Sequence, residues 1–116
     1  MKKTKQNSEH YNWGSKCEGW HLVKDQSLSV IQEIMAPHTK EERHFHAASQ
    51  QLFFILKGKA TFELDGKVIE VMQGESLHIK PRQKHQIQNN ADETLEFLVV
   101  SQPATRGDRM EEVAEE

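Results

Sequence analysis

Residues 44–58 read HFHAASQQLFFILKG, and this stretch decides how the rest of the chain is interpreted. It joins a His-x-His pair, His44 and His46, to an apolar run over residues 52–56. Side chains of a β-strand alternate between its two faces, so the two histidines point the same way and can bind one metal ion together. The run is apolar at both parities, which predicts a central strand covered on each face. The stretch therefore predicts a metal site beside a buried strand.

A second stretch, residues 74–89, reads GESLHIKPRQKHQIQN and supplies a third histidine, His85, with Asn89 behind it. His85 lies far along the chain from the first pair, so it must come from a different strand, as it would in a sheet curled into a barrel. Neutral imidazole binds divalent transition metals at physiological pH. Three imidazoles and one amide, that of Gln51, are therefore placed to converge on one metal ion.

Short strand patterns follow one another through the middle of the chain. They cover residues 20–23, 28–35, 43–47, 52–56, 59–64, 68–72, 76–80, 85–88 and 94–100. Several alternate with period two, as in Leu95, Phe97 and Val99. The dipeptide Asp65-Gly66 is a strong two-residue hairpin turn. Many short strands at close turn spacing predict an all-β, antiparallel sandwich or barrel.

Composition limits the possible partners. The length of 116 residues suits a single domain with its own core. The formal charge of -3 and a pI near 6.2 argue against nucleic acid or an anionic membrane as the main partner. The single cysteine, Cys17, excludes an internal disulfide, and we expect an inert thiol rather than a reactive one. The basic opening Met1-Lys2-Lys3 is not followed by an apolar run, so we expect no signal peptide and a cytoplasmic location.

The predicted organisation has three parts: an N-terminal arm (1–18), a single barrel domain (19–102) and a polar C-terminal tail (103–116). The arm is polar up to about residue 12 and is predicted to lack fixed structure. Trp13 and Trp20 interrupt this polarity, either as a satellite cluster under the arm or as a docking surface. The tail is predicted to be solvated rather than helical. Exposed edge strands and a long arm predict a homodimer, with Trp13 or Trp20 near the shared surface.

The two histidine stretches resemble the two sequence motifs of the cupin superfamily, in the form found in its small single-domain members. The first family motif reads G-x5-H-x-H-x(3,4)-E-x6-G. In this chain His44, His46 and Gly58 fall in register, with Gln51 in the acidic position and His38 in place of the leading glycine. The carboxylate that the family usually provides is therefore replaced by an amide.

The second family motif reads G-x5-P-x-G-x2-H-x3-N. Gly74, His85 and Asn89 match it, whereas Lys80 replaces the proline and Arg82 replaces the glycine. The glycine replacements in both motifs predict locally altered turns that leave the barrel intact. Two motifs at their proper separation are fairly specific for the fold.

The resemblance covers residues 37–89, about half of the chain, and implies an RmlC-like antiparallel jelly-roll β-barrel. The family's usual ligands, three histidines and one glutamate, carry over to one divalent transition metal ion (Fe, Mn, Ni, Zn or Cu) held by His44, His46, Gln51 and His85. With four neutral ligands the ion keeps its full double charge, so it attracts anions but is held less tightly. We favour Gln51 as a ligand, with a donor to bound water or a plain core residue as the alternatives.

Basic residues surround the predicted site. Arg43 precedes His44, and Lys80, Arg82 and Lys84 lie in the loop that leads to His85. At a barrel mouth such residues would attract a small carboxylate, phosphate or enolate, although a solvated basic loop explains them equally well. His78 could face the cavity as an acid or base, but a surface position is favoured. The candidate ligand-binding residues are Arg43, His78 and Arg82.

Cupins host many functions, so the resemblance does not fix the reaction. It implies that the chain binds or acts on a small anionic or enolisable organic molecule, by dioxygenase-like or by isomerase- or lyase-like chemistry. Because the motifs offer no carboxylate as a general base, oxygenation is slightly favoured. The alternative is a non-catalytic module that binds or senses a small molecule, and whether the chain is an enzyme stays open.

Overall fold

The computed structural model describes residues 1–111, which form twelve β-strands. In chain order these are β1 (Glu9–Trp13), β2 (Cys17–Lys24), β3 (Ser29–Met35), β4 (Thr39–Lys40), β5 (His44–His46), β6 (Gln50–Lys57), β7 (Lys59–Leu64), β8 (Lys67–Met72), β9 (Ser76–Ile79), β10 (His85–Asn89), β11 (Leu95–Gln102) and β12 (Arg109–Glu111). All nine strands predicted from sequence patterns are present, with ends that differ by up to three residues.

Two antiparallel sheets pack face to face. The first has the strand order β1-β2-β3-β11-β6-β9, and the second has the order β12-β5-β10-β7-β8, with β4 also paired to β10. Neighbours in each sheet are mostly distant in sequence, as in β11 between β3 and β6. This confirms the predicted all-β, antiparallel jelly-roll fold. Within the described part of the chain, no helix is long and apolar enough to span a membrane.

The core fills the space between the two sheets. Strand β11 shows how it is built, since Leu95, Phe97 and Val99 point inward and are buried while the residues between them are partly exposed. Phe53 lies at the centre, with its ring centroid 5.1 Å from that of Phe62 and 5.7 Å from that of Phe97. Edge-to-face and tilted aromatic pairs of this kind add to the stabilisation from burial alone.

Strand β6 differs from its prediction. Phe53 and Ile55 are buried between the sheets, but Leu52 and Phe54 on the opposite face are 39% and 37% exposed. The expectation that residues 52–56 are covered on both faces is therefore wrong. The reason is the two-layer architecture: the outer face of a jelly-roll sheet has no further layer of the same chain to pack against it.

The N-terminal segment is ordered, in contrast to the prediction of an arm without fixed structure. Strand β1 pairs with β2 over five residues, from Glu9 opposite His21 to Trp13 opposite Cys17. Trp20 is buried beside the ring of His10, at a centroid distance of 5.2 Å. A polar strand of this kind is hard to recognise from sequence because its stability comes from the neighbouring strand rather than from an apolar face of its own.

The C-terminal segment also differs from its prediction. Residues 109–111 form β12 and pair with β5, placing Arg109 opposite His46, so the prediction of a solvated tail is wrong there. The preceding Asp108 accepts hydrogen bonds from the backbone N–H groups of Ala47, Ala48 and Ser49 at 2.8–3.2 Å. Residues 112–116, the remainder of the predicted tail, lie outside the described residues.

The two residues that replace family glycines keep the backbone conformation of a glycine. His38 has φ 59° and Arg82 has φ 71°, both in the left-handed region. The backbone at both residues is therefore strained, because a Cβ in this region costs about 1–2 kcal/mol. The backbone N–H of Arg82 donates to the carbonyl of His46 at 2.7 Å, which holds this conformation in place.

Arg82→Gly is expected to stabilise the protein by about 0.5–1 kcal/mol, because it removes left-handed strain but adds freedom to the unfolded chain. Urea unfolding followed by circular dichroism measures the change. Lys80→Gly in the same loop is the control and is expected to destabilise, since Lys80 does not have a positive φ. A loss of stability in Arg82→Gly would show that its side chain stabilises the turn in another way.

Candidate metal centre

Three histidines meet between the two sheets. His44 and His46 lie on β5, and His85 lies directly opposite His44 on the neighbouring strand β10. One nitrogen from each of the three rings lies within 4.8 Å of the others, and all three side chains are buried. The centroids of the His44 and His85 rings are 4.3 Å apart. The structure thus brings together the three histidines that the sequence patterns singled out.

Backbone carbonyls fix the orientation of two of the rings. His44 Nδ1 lies 2.8 Å from the carbonyl oxygen of Glu42, and His85 Nδ1 lies 3.0 Å from that of Gln83. A carbonyl oxygen can only accept a hydrogen bond, so in both rings Nδ1 carries the hydrogen and Nε2 keeps a lone pair. This is how metal-binding histidines are commonly held.

Several potential ligand atoms at this centre have no hydrogen-bond partner among the described residues. They are Nε2 of His85, Oε1 of Gln51 and the two ring nitrogens of His46, of which one can bind a metal ion. An unsatisfied buried polar atom costs about 1–3 kcal/mol, so an ion bound by these acceptors would remove most of that cost. Imidazole nitrogens with an amide oxygen suit a divalent transition metal ion, and the residues therefore fit the metal that the motifs imply.

Gln51 is oriented by its amide nitrogen. Its Nε2 donates to Ser101 Oγ at 3.0 Å on the neighbouring strand β11, and its Oε1 remains as an acceptor. Because Ser101 already occupies an N–H of Gln51, the amide is less suited to act as a donor to bound water. This orientation leaves the carbonyl oxygen of Gln51 without a hydrogen bond among the described residues.

His44 and His46 lie in the wall of a cavity of about 180 Å³, and His85 lies behind them on β10. Its lining residues are Tyr11, Trp13, Ile31, Glu33, Glu41, His44, His46, Gln51, Phe53, Val99, Ser101, Thr105 and Arg109. Four ionisable side chains of this set were not identified from sequence: Tyr11, Glu33, Glu41 and Arg109. Glu33 shares strand parity with Ile31 and Met35, but apolar residues also stand at the other parity of β3, so the signal was weak.

Burial lowers the pKa of the histidines of the centre and raises the pKa of the nearby carboxyl groups. Desolvation lowers the pKa of His44 to about 3 and that of His46 to about 4, and it also lowers the pKa of His85. Desolvation raises the pKa of Glu33 to about 7 and that of Glu41 to about 8. Both effects favour the neutral forms, so the imidazoles are ready to bind a metal at neutral pH.

The family assignment follows from the extent of the sequence match. The profile of the cupin domain matches residues 31–101, more than half of the 116-residue chain, and includes all four predicted ligands. The chain belongs to the cupin family. An uncharacterized protein from Methanocaldococcus jannaschii is 29% identical over 83 residues, which are 72% of this cupin. The chain spans 66% of that archaeal protein, just under two thirds of its length.

Solved cupin structures superimpose closely at low sequence identity. The polyketide cyclase RemF from Streptomyces resistomycificus has a TM-score of 0.83 and 19% identity, over 100% of this chain and 88% of its own. An RmlC-like cupin from Shewanella frigidimarina has a TM-score of 0.80 and 15% identity, over 90% and 92%. A predicted oxalate decarboxylase from Thermotoga maritima has a TM-score of 0.78 and 21% identity, over 90% and 100%. At such identities the likeness establishes the fold.

The three candidate ligand-binding residues lie outside the lining of the metal-centre cavity. The guanidinium of Arg43 lies 3.4 Å from the carboxylate of Glu63. His78 is on the outer face of its sheet, where its Nε2 lies 2.9 Å from Gln50 Oε1. Arg82 has an exposed side chain and contacts the site through its backbone, by the bond to His46 described above. The cationic residue of the cavity itself is Arg109.

Metal affinity is expected to fall much less between pH 6.5 and pH 5 than it would with ordinary imidazoles, because pKa values of about 3 and about 4 leave His44 and His46 unprotonated in this range and burial also lowers the pKa of His85. Three ordinary imidazoles, with pKa near 6.5, would lose roughly 1,000-fold or more in affinity over the same interval. Competition with a chelator of known pH dependence measures the affinity. A loss on the scale expected for ordinary imidazoles would mean that the histidines are accessible to protons.

Acid also lowers the stability of the metal-free protein, because folding lowers the pKa of His44 and His46. The unfolded chain binds protons at its histidines near pH 6.5, whereas the folded chain does so only near pH 3–4. The contribution of these histidines to stability is therefore fully present above pH 6.5 and is lost as the pH falls towards 3. Affinity measurements should remain at pH 5 or above for this reason.

Gln51→Glu is expected to tighten metal binding by about ten-fold or more, because a carboxylate is a better ligand for a divalent cation than an amide oxygen. The added negative charge is also expected to weaken the binding of acetate to the metal-loaded protein. Gln50→Glu, on the exposed neighbouring position, is the matched control and should leave both affinities unchanged. If both affinities are also unchanged in Gln51→Glu, Gln51 is not a metal ligand.

Proposed function

We propose that this cupin is a metal-dependent enzyme that acts on a small enolisable organic molecule. The observation that carries the proposal is the cluster of His44, His46 and His85, two of which line a cavity that also contains carboxyl groups. Metal ligands alone suit a storage or sensing site, but a neighbouring acid–base group suits a site that changes its ligand.

The metal would be held by His44, His46 and His85, with the carbonyl oxygen of Gln51 as a fourth ligand. Iron, manganese, nickel, zinc and copper all accept this donor set. A bound divalent ion supplies Lewis acidity, which polarises a carbonyl oxygen and makes the neighbouring C–H bond more acidic. The backbone carbonyls of Glu42 and Gln83 keep the His44 and His85 rings in the orientation that such binding requires.

The substrate is expected to be small and to carry a negative charge. A cavity of about 180 Å³ is smaller than the roughly 300–1,000 Å³ of pockets for drug-sized ligands. Arg109 contributes a guanidinium to the lining, and its charge lowers the pKa of Glu33 and Glu41 against the effect of burial. A carboxylate or enolate would be attracted by Arg109 and by an ion whose ligands are all neutral.

Proton transfer is favoured over oxygenation as the reaction type. The slight preference for oxygenation rested on the lack of a carboxylate in the motifs, whereas Glu33 and Glu41 both line the cavity. Solved proteins of this fold are described by different activities, a polyketide cyclase and a predicted oxalate decarboxylase among them. The type of reaction therefore has to be argued from the residues of this chain.

The test compares two readouts on protein loaded separately with Fe(II), Mn(II), Ni(II) and Zn(II). Proton NMR in D₂O follows hydrogen exchange in small diketones and 2-oxo acids, and an oxygen electrode follows uptake with the same compounds. Exchange that is lost in His46→Ala and retained in His78→Ala supports the proposal. Oxygen uptake without exchange indicates a dioxygenase, and tight binding with neither readout indicates a non-catalytic binding module.

We also propose that the chain forms a homodimer. Trp20 is buried within its own chain and Trp13 lines the cavity, so the exposed pair Leu52 and Phe54 on the outer face of β6 is a better candidate for the shared surface. Light scattering at micromolar concentration tests this, with Phe54→Ser as the variant expected to weaken association. A monomer at that concentration contradicts the proposal.

A further inference from the structure

A hydrogen-bonded pair, Tyr11 and Glu33, is built into the cavity wall across three strands. Tyr11 on β1 is the register partner of Gly19 on β2, and Gly19 is the partner of Glu33 on β3. A Cβ at Gly19 would overlap the ring and hydroxyl of Tyr11, so the missing side chain lets Tyr11 lie across β2. Tyr11 Oη then donates to Glu33 Oε2 at 2.8 Å. The absence of a side chain at Gly19 on β2 thus lets Tyr11 reach and orient the carboxyl group of Glu33 on β3.

Glu33 faces inward on a strand whose other inward residues include the buried Ser29 and Met35. A carboxyl group at such a position is costly unless it is paired or neutralised, and the contact with Tyr11 provides one hydrogen bond. This contact occupies Oε2, while Glu33 as a whole remains in the lining of the cavity that His44 and His46 also line. The side chain is therefore both held and accessible to a molecule in the cavity.

We infer that Glu33 takes a proton from a carbon of the substrate and returns it, and that Tyr11 is its positioning residue. The inference rests on the proposed function, since it requires the substrate carbonyl to be bound at the histidine cluster. It deepens that function by naming the residue that moves the proton of the acidic C–H next to the carbonyl group.

The proposed step balances without an oxidant or a further reactant. The C–H bond next to the carbonyl breaks, its electron pair forms a C=C bond, and the carbonyl π pair moves to oxygen, giving an enolate. The proton forms an O–H bond with the Glu33 carboxylate. If the Glu33 O–H exchanges its proton with solvent before the return, protonation of the same carbon exchanges the substrate hydrogen, and protonation of another atom of the enolate isomerises the substrate.

The groups around Glu33 suit a residue that both accepts and donates a proton. Burial raises its pKa to about 7, and the hydrogen bond from Tyr11 and the charge of Arg109 act in the opposite direction. The charge of Glu33 raises the pKa of Glu41 on the segment before β5, and the ring of His21 on β2 lies 5.1 Å from that of Tyr11. Near neutral pH both forms of Glu33 are populated, which general acid–base catalysis requires.

The first test is hydrogen exchange of pyruvate and of acetylacetone in D₂O, followed by proton NMR with the whole metal-loaded chain. Glu33→Gln is expected to slow exchange by about 100-fold or more, with unchanged metal per chain by elemental analysis. Glu70→Gln, an exposed carboxylate on β8, is the control and should exchange like the wild type. A wild-type rate in Glu33→Gln overturns the inference.

The second test measures the effect of Tyr11 on the pKa of Glu33 in the metal-free protein. Tyr11→Phe removes a hydrogen bond that stabilises the Glu33 carboxylate, so the pKa of Glu33 should rise further, as measured by ¹³C NMR of the carboxyl carbon. The signal is assigned by its loss in Glu33→Gln. Gly19→Ala, which displaces Tyr11, should shift this pKa in the same direction, and the pH profile of exchange should follow. A Glu33 pKa that is unchanged in Tyr11→Phe excludes Tyr11 as a positioning residue.

The two proposals fail in different ways. Exchange that is lost in His46→Ala but kept in Glu33→Gln removes Glu33 from the reaction and leaves the metal-dependent function intact. If the wild-type protein accelerates exchange in neither probe with any of the metals, the proposed function and the inference are both overturned.

Discussion

His46→Ala is expected to weaken metal binding by more than about 100-fold, since even the loss of a residue that only supports a ligand costs about 10–100-fold. Neither ring nitrogen of the buried His46 has a well-formed hydrogen bond among the described residues, so its imidazole is available to a metal ion. Only two imidazoles and a weak amide ligand would remain. Competition with a chelator, with bound metal counted by elemental analysis, measures the loss.

His46→Ala also distinguishes a metal-binding role of His46 from a purely structural one. A metal ion at 100 times its dissociation constant stabilises the wild-type protein by about 2.7 kcal/mol, whereas His46→Ala should show no such gain. His78→Ala is the matched control, because His78 is exposed on the outer face of the sheet and should respond to metal like the wild type. Equal metal affinity in His46→Ala and the wild type would contradict the assignment of the centre.

Asn89→Asp is expected to cost about 3–5 kcal/mol, a large part of the roughly 5–15 kcal/mol that stabilises a domain. Asn89 is fully buried, and its Nδ2 donates to the carbonyl oxygens of Met35, Ala36 and Glu93 at 2.9–3.2 Å. Its Oδ1 accepts from the N–H of Ala91 at 3.1 Å. An aspartate keeps the acceptor but loses the donors, and it places a carboxylate among three carbonyl oxygens.

Thermal unfolding should therefore shift down by about 10–20 °C in Asn89→Asp. Asn90→Asp is the control, since the neighbouring Asn90 is exposed and bonds only to the side chain of Gln88 among the contacts described. A shift equal to that of the control would mean that the carbonyl cluster is satisfied by other groups. The motif asparagine would then have a role near His85 rather than in the corner between the sheets.

The strands that carry the histidines could be predicted because their signals are local. The alternation of β11, the Asp65-Gly66 hairpin and the His-x-His pair each depend on neighbours in sequence. Strands β1 and β12 have no comparable pattern, because they are ordered by pairing with β2 and β5 respectively. The exposure of the outer face of β6 could not be predicted either, because an apolar run does not reveal whether one or both faces of the strand are covered.

The ligands of the site could be predicted and its acid–base groups could not, for a related reason. His44, His46 and His85 stand in recognisable motifs. Glu33 stands on β3, where apolar residues occur at both parities, so the sequence does not reveal which side chains face inward. The contact with Tyr11 also depends on a gap at Gly19 in the strand between them, which becomes visible only when three strands are paired.

Tyr11 and Arg109, which line the cavity on strands β1 and β12, lie outside the 31–101 portion that defines family membership. That portion carries the three histidines of the candidate metal centre, while β1 and β12 add groups that line the cavity beside it. Replacing either flanking strand would therefore change the surroundings of a bound molecule, and at β1 also the partner of Glu33, without removing a histidine of the centre. Truncated variants that lack β1 or β12 should therefore be tested for ligand binding as well as for folding.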